Sequence, residues 1–364
     1  MIKLNRPGYV TFFSFASVLV LVEALSRFVS PSLPVDPGKW PRIEIAQKLD
    51  QMRTYVNDRK EVDVVFAGSS MVAGGFDPLE FNDITGLKAY NAAFAGSTMK
   101  TTALWVRDVV EPLMEPEVVV VGLQTRELSD TGTKNDDMNE DFESSPGYKE
   151  SMSSVGSRLA GSLERVSYFL RYRRAFRTPS VLFEADGKEA LRNTKVRQEI
   201  GPWGTRIMEP GVYRATDKFL SGIREKTFLD LEMGGEEYGS LVDLASELEE
   251  RDVGLVVVSM AVTDDYWGTH EDPDAARDEY HRLLDRLVDR AGVTVIDAED
   301  AFSTTSVFRD PVHLDVEGRA AFSEMLARRW DRITDPEPSR YTVACEIEGS
   351  ISCGLTPADA IASN

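Results

Sequence analysis

Histidine and cysteine are scarce in this chain, with three and two residues among 364. No Cys and His cluster at ligand spacing, so a structural zinc site, which needs four ligands, is not expected. Positive charge is also short. Sixty-one acidic residues against 41 Lys and Arg leave a formal net charge of −20. That excludes a general nucleic-acid binder, because phosphate recognition needs concentrated positive charge. The acid surplus suits a surface facing salt or the cell exterior. Internal repeats are absent, and nothing in the sequence implies a cofactor or a metal.

Apolar residues are present in ordinary measure, 42% of the chain. The length allows one large α/β domain, or one domain with a sizeable insertion. Both cysteines lie near the C-terminus, in strand-like Tyr341–Ile347 and Ile351–Cys353, on either side of a turn at Glu348–Ser350. A hairpin centred on Gly349 brings Cys345 and Cys353 together, and an oxidising compartment would join them. Two free thiols in a loose tail are the alternative.

The one long apolar run covers residues 9–29, YVTFFSFASVLVLVEALSRFV, behind Lys3 and Arg6. About 20 such residues cross a bilayer as a helix, and the preceding basic residues favour an N-terminus inside and the remainder outside. A cleaved signal peptide competes, but no small-x-small cleavage site precedes Pro31. Glu23 sits in the outer third of the span, either among headgroups or against another membrane protein. The expected organisation is an anchor at 1–30, a Pro-rich stalk at 31–41, a catalytic domain at 42–335 with an insertion over about 129–235, and a C-terminal hairpin and tail at 336–364.

In the domain, Ile45, Leu49, Met52 and Val56 mark one face of a leading helix. Val62–Ala67, Lys88–Ala93, Val118–Leu123, Val253–Met260 and Val293–Ile296 read as strands. Helical patterns over 98–110, 236–250, 274–290 and 316–333 alternate with them. Apolar strands alternating with helices predict an α/β fold around a doubly wound, mainly parallel sheet, with the site at the C-terminal strand ends. Within the insertion, Asp130–Glu143 reads as a solvated acidic loop without calcium-ligand spacing. Val155, Leu159, Leu163, Val166 and Leu170 form a helical stripe, and the arginines from Arg158 to Arg177 face either anionic partners or the chain's own acids.

The strand at 62–67 runs into Gly68-Ser69-Ser70, a turn that suits a nucleophile or an ordinary helix cap. Asp310-Pro311-Val312-His313 precedes the last helix. An Asp three residues before a His can orient one ring nitrogen and leave the other free to take a proton; the same spacing also suits a capped turn. An α/β-hydrolase elbow fits poorly, since Val72 stands where its second glycine belongs.

Together, the strand leading to Gly68-Ser69-Ser70, the Tyr90–Ser97 block and the Asp310–His313 block resemble the SGNH hydrolases, relatives of the GDSL esterases. The resemblance implies a flavodoxin-like three-layer fold, with Ser70 as nucleophile, His313 as base and Asp310 as its partner. It also implies an oxyanion hole from the Ser70 and Gly96 backbone. The family's Gly-x-Asn is here Gly122-Leu123-Gln124, so Gln124 stands in for the usual Asn donor. Asn91, Arg126 and Trp267 are the candidate substrate contacts, and Asp264, Asp265 and His270 lie on the same loop as Trp267; His281, within a helical pattern, reads as a surface or packing residue.

With the anchor, the chain is similar to membrane-tethered SGNH proteins that O-acylate exported polysaccharides beside a multispan membrane acyltransferase. The expected activity is a serine esterase or O-acyltransferase acting on acylated glycan or lipid of the cell envelope. The alternative from another class is a non-catalytic, tethered binding or assembly protein that keeps the frame.

Overall fold

The computed structural model describes residues 17–18, 20–28, 40–131, 133–151, 167, 200–208, 210–334, 339–348 and 350–357. It divides into two compact units, one of 1–46 with 143–197 and one of 47–142 with 198–364. The second unit carries the sheet. Its strands are β1 (Val64–Gly68), β2 (Ala89–Asn91), β3 (Val118–Leu123), β4 (Gly254–Ser259) and β5 (Thr294–Asp297), joined by the C-terminal β8 (Arg340–Glu348) and β9 (Ser350–Pro357). Their order is β2-β1-β3-β4-β5-β8-β9. Every pairing is parallel except the β8–β9 hairpin. β1 is buried throughout and β3 nearly so, which explains why these strands read as continuous Val-rich runs rather than alternating ones.

Helix α1 (Ile43–Asn57) leads into the sheet. Ile45, Leu49 and Met52 are buried as the spacing predicts, while Val56 is exposed. The Gly68–Ser70 turn opens α2 (Ser70–Gly75), and α3 (Pro78–Thr85) follows under an Asp77 cap. Helix α4 (Met99–Trp105) continues through a π-turn at Val106–Val110 into Glu111–Met114. The later crossovers are α6 (Glu236–Glu249), α7 (Pro273–Ala291) and α8 (Val316–Arg328). Phe66 on β1 stacks on Phe76 and meets Phe81 edge-on, while Phe76 packs on Phe322 of α8, joining sheet and helix layer.

Two expectations change. The acidic stretch after Asp130 is largely α5 (Thr133–Ser144) rather than a loop. Met138 and Phe142, one turn apart, give it a buried edge, and Phe142 stacks parallel to Phe94. Asp130 accepts hydrogen bonds from the Gly235 and Glu237 N–H groups at the start of α6. The hairpin at the C-terminus is no appendage: β8 extends the sheet alongside β5. Cys345 and Cys353 face each other in register and are joined by a disulfide.

Among the described residues no helix is long and apolar enough to cross a membrane. Residues 9–16, 19 and 29 of the predicted span lie outside the described residues, as do 31–39 of the stalk and the apolar stripe and arginines between 155 and 177. Within the first unit, Glu23 is paired with Arg27 and accepts a hydrogen bond from Ser167.

Candidate active site

β1 ends at Gly68, whose φ is +141°. A Cβ there would stand 2.5 Å from the Gly122 carbonyl oxygen and crowd Val72. Only glycine lets the chain turn this tightly against β3. Beyond it the two serines divide the roles that the sequence left open. Ser69 is the N-cap, accepting from the Met71 N–H. Ser70, first residue of α2, presents its hydroxyl to His313, with Oγ 2.8 Å from Nε2.

Asp310 and His313 sit on two short antiparallel strands, β6 (Phe308–Asp310) and β7 (His313–Leu314), closed by Pro311 and Val312. Here too both readings of the spacing hold at once. Asp310 Oδ1 caps the turn, accepting from the Val312 and His313 backbone N–H groups at 3.0 and 3.1 Å. Its carboxylate also meets His313 Nδ1 at 2.8 and 2.9 Å. A carboxylate only accepts, so Nδ1 carries the proton and Nε2 offers its lone pair to the Ser70 O–H. Burial raises the Asp310 pKa, but the hydrogen bond and charge of His313 and the two backbone N–H groups outweigh it. The net shift is downward, and Asp310 stays ionised. All three side chains are half-buried, a setting that shields the hydrogen bonds while leaving an approach for substrate.

Gly96 lies in a turn between β2 and α4 with φ +80°. Among the described residues, neither its N–H nor that of Ser70 has a hydrogen-bond acceptor. Both are therefore available to a developing negative charge. Gln124 does not join them. It is fully buried, and its Nε2 donates to Ser259 Oγ at 3.2 Å and to the Met260 carbonyl. An acceptor at each of its two N–H bonds fixes the amide toward β4, and Oε1 is left buried without a partner.

Two of the three candidate substrate contacts are buried. Asn91 is fully buried, donating from Nδ2 to the Val72 and Phe76 carbonyls while Oδ1 accepts from Ala93 N–H. It braces α2 from behind. Trp267 is buried against Tyr266, His270 and Tyr280 and is no stacking platform. The short helix Asp264–Trp267 turns the indole inward. Arg126 is partly exposed and paired with buried Glu127. Nor do the other histidines reach Ser70. His270 is buried under Phe228 and hydrogen-bonded to Thr125, and burial pushes its pKa down to about 4. His281 binds Glu299, whose carboxylate Arg277 already neutralises.

No sequence pattern points to Tyr213. Its hydroxyl donates to Asp265 and lies 3.2 Å from Thr263 Oγ1, beside the turn that carries Asp310 and His313. Thr263 in turn donates its N–H to the Pro311 carbonyl at 3.0 Å. Each of these contacts joins residues about 50 positions apart, which no local pattern reveals.

Compared with known proteins, the chain matches no family profile and no curated protein. Among solved structures it is similar to a GDSL-like lipase from Bacteroides thetaiotaomicron, with a TM-score of 0.37 and 11% identity over 78% of this chain and 98% of that one. It is also similar to an acetyl xylan esterase from Butyrivibrio proteoclasticus, with a TM-score of 0.30 and 9% identity over 74% of this chain and 64% of that one. At these scores the functional reading rests on this chain's own residues.

Proposed function

We propose that the chain is a serine esterase or O-acyltransferase of the SGNH type. It would be tethered to the membrane through residues 9–29 and act outside the cytoplasm on ester-linked acyl groups, acetyl foremost, of cell-envelope or exported glycans. The observation that carries this reading is the unbroken hydrogen-bond chain Ser70–His313–Asp310 at the C-terminal edge of a parallel sheet. His313 Nε2 takes the hydroxyl proton as Ser70 Oγ attacks the ester carbonyl. The Ser70 and Gly96 N–H groups stabilise the oxyanion. The departing alkoxide takes the proton from His313 and leaves an acyl-Ser70. Water or a sugar hydroxyl then gives its proton to His313 and attacks the acyl group, and His313 passes that proton to Ser70 Oγ as the acyl–oxygen bond breaks. The disulfide supports an oxidising compartment, and a multispan membrane acyltransferase would be a fitting partner.

The non-catalytic alternative draws support from Gln124, whose amide is turned away from Ser70. Acetate release from acetylated oligosaccharides, measured with and without a glycan acceptor, separates the two readings. We expect release or transfer that disappears in Ser70→Ala. Folded wild-type protein with no activity, or activity untouched by Ser70→Ala, would overturn the proposal.

A further inference from the structure

We propose that Tyr213, contributed by the insertion, is a positioning residue that sets the place of the Asp310–His313 turn relative to Ser70; this rests on the reading of Ser70, His313 and Asp310 as a catalytic triad. The segment that carries it is a strap anchored at both ends. At its start, Gln51 donates to the Gly201 carbonyl and accepts from the Gly204 N–H, each at 2.9 Å. Trp203 N–H donates to the Tyr55 hydroxyl at 2.8 Å. Gly204 has φ +73° and sits so close to the Asn91 carbonyl that any Cβ would collide with it, so the strap starts against β2 and leaves no room for another residue there. From this anchor it runs past α8, where Arg319 donates to the Arg206 carbonyl at 2.8 Å. It then passes the nucleophile helix, where Met208 sulfur packs on Gly74.

The strap next reaches the acid–base turn. Gly211 lies against the Arg309 side chain, and Arg214 N–H donates to the Arg309 carbonyl at 2.9 Å. One residue beyond Asp310, the Pro311 carbonyl accepts from Thr263 N–H at 3.0 Å. The turn is thus gripped on both sides of Asp310, by the strap and by the loop after β4. Tyr213 ties the two grips together, meeting Thr263 Oγ1 at 3.2 Å and Asp265 Oδ2 at 2.5 Å. Burial, then the bond to Asp265, pushes the phenol up to about 12, so Tyr213 remains a proton donor at any working pH. The Thr263 hydroxyl is also directed at the Pro311 carbonyl, at 3.4 Å. The hydroxyl of Tyr213 therefore acts on His313 only through the turn, and touches neither Ser70 nor the ring.

Misplacing a catalytic base by about 1 Å lowers rate by about 100-fold, and loosening one of two grips displaces it by less. In the full chain, Tyr213→Phe should lower kcat on p-nitrophenyl acetate about tenfold, with KM changed less than about twofold, and slow fluorophosphonate labelling of Ser70 in parallel. Asp265→Ala should do the same, and the double variant should be no worse than either single one. Asp265→Asn, which still accepts from the phenol, should restore most of the rate. A merely structural role would lower Tm and leave the labelling rate of the folded protein unchanged. That result, or a Tyr213→Phe kcat within about twofold of wild type, overturns the inference. Wild-type protein that shows no Ser70-dependent labelling overturns the triad reading itself, and with it this one.

Discussion

Asp310→Asn should leave the fold intact and nearly abolish turnover. Asp310 Oδ1 accepts two backbone N–H groups of its own turn, and an Asn oxygen can keep both. That choice puts Nδ2 in the place of Oδ2, 2.8 Å from His313 Nδ1, and leaves at 2.9 Å an Oδ1 already shared by the two backbone N–H groups. Two donors cannot share that contact, so His313 must shift its proton to Nε2. Nε2 then donates to Ser70 Oγ, 2.8 Å away, and can no longer take the hydroxyl proton. In an Asp–His–Ser triad this wrong tautomer lowers kcat by about 10⁴, or about 5.5 kcal/mol of barrier. The stability change should stay near that of one half-exposed hydrogen bond, about 1 kcal/mol. Steady-state hydrolysis of an activated ester at pH 7.5, with urea unfolding of the same sample, reads both numbers. An Asn variant that keeps more than about a tenth of kcat would refute the assigned proton geometry.

The Cys345–Cys353 disulfide spans 8 positions. Closing so short a loop should contribute about 2.5 kcal/mol, so the double Cys→Ser variant should unfold at correspondingly lower urea while Ser70 labelling is unaffected. Labelling should survive because β8 lies four strand spacings from β1, about 19 Å. Glu237 is buried and its pKa is raised from 4.5 to about 7, by burial first, against hydrogen bonds from Lys100 N–H and Asn139. An acid whose folded pKa is raised favours the native state most below its unfolded pKa, and that advantage fades as pH rises through about 7. Wild-type unfolding free energy should therefore fall by up to about 3 kcal/mol between pH 4.5 and pH 8 on this account, and Glu237→Gln should flatten the slope. Asp310 works the other way. Its lowered pKa contributes stability above the ordinary carboxylate range that is lost as pH falls through the folded value, so Asp310→Ala should weaken the acid limb of the same titration.

Much of the frame could be read before any coordinates, for definite physical reasons. Strands β1, β3 and β4 are written as Val-rich runs, and Gly68, Ser69 and Ser70 stand at the end of the first of them. Asp310 and His313 are three residues apart, so their contact is local and visible in the spacing. Cys345 and Cys353 stand symmetrically about Gly349, which set their pairing. What escaped depends on distance or direction. Helix α5 carries only Met138 and Phe142 as buried apolar residues in a polar stretch, too sparse a stripe to stand out. The pairing of β8 with β5 joins segments some 45 residues apart. Gln124, Asn91 and Trp267 lie next to the right strands, yet their side chains turn into the core, a matter of rotamer and burial that sequence position does not encode. Tyr213 reaches the Asp310–His313 turn through Thr263 and Asp265, on a loop some 50 positions away.

The central claim is that Ser70 is a nucleophile activated by His313 and Asp310. Labelling of the full-length protein with a fluorophosphonate, followed by peptide mass mapping, tests it most directly. One adduct should form on Ser70, none in Ser70→Ala, and far more slowly in Asp310→Asn. Folded wild-type protein that takes no label, or a Ser70→Ala variant labelled as fast as wild type, would contradict it.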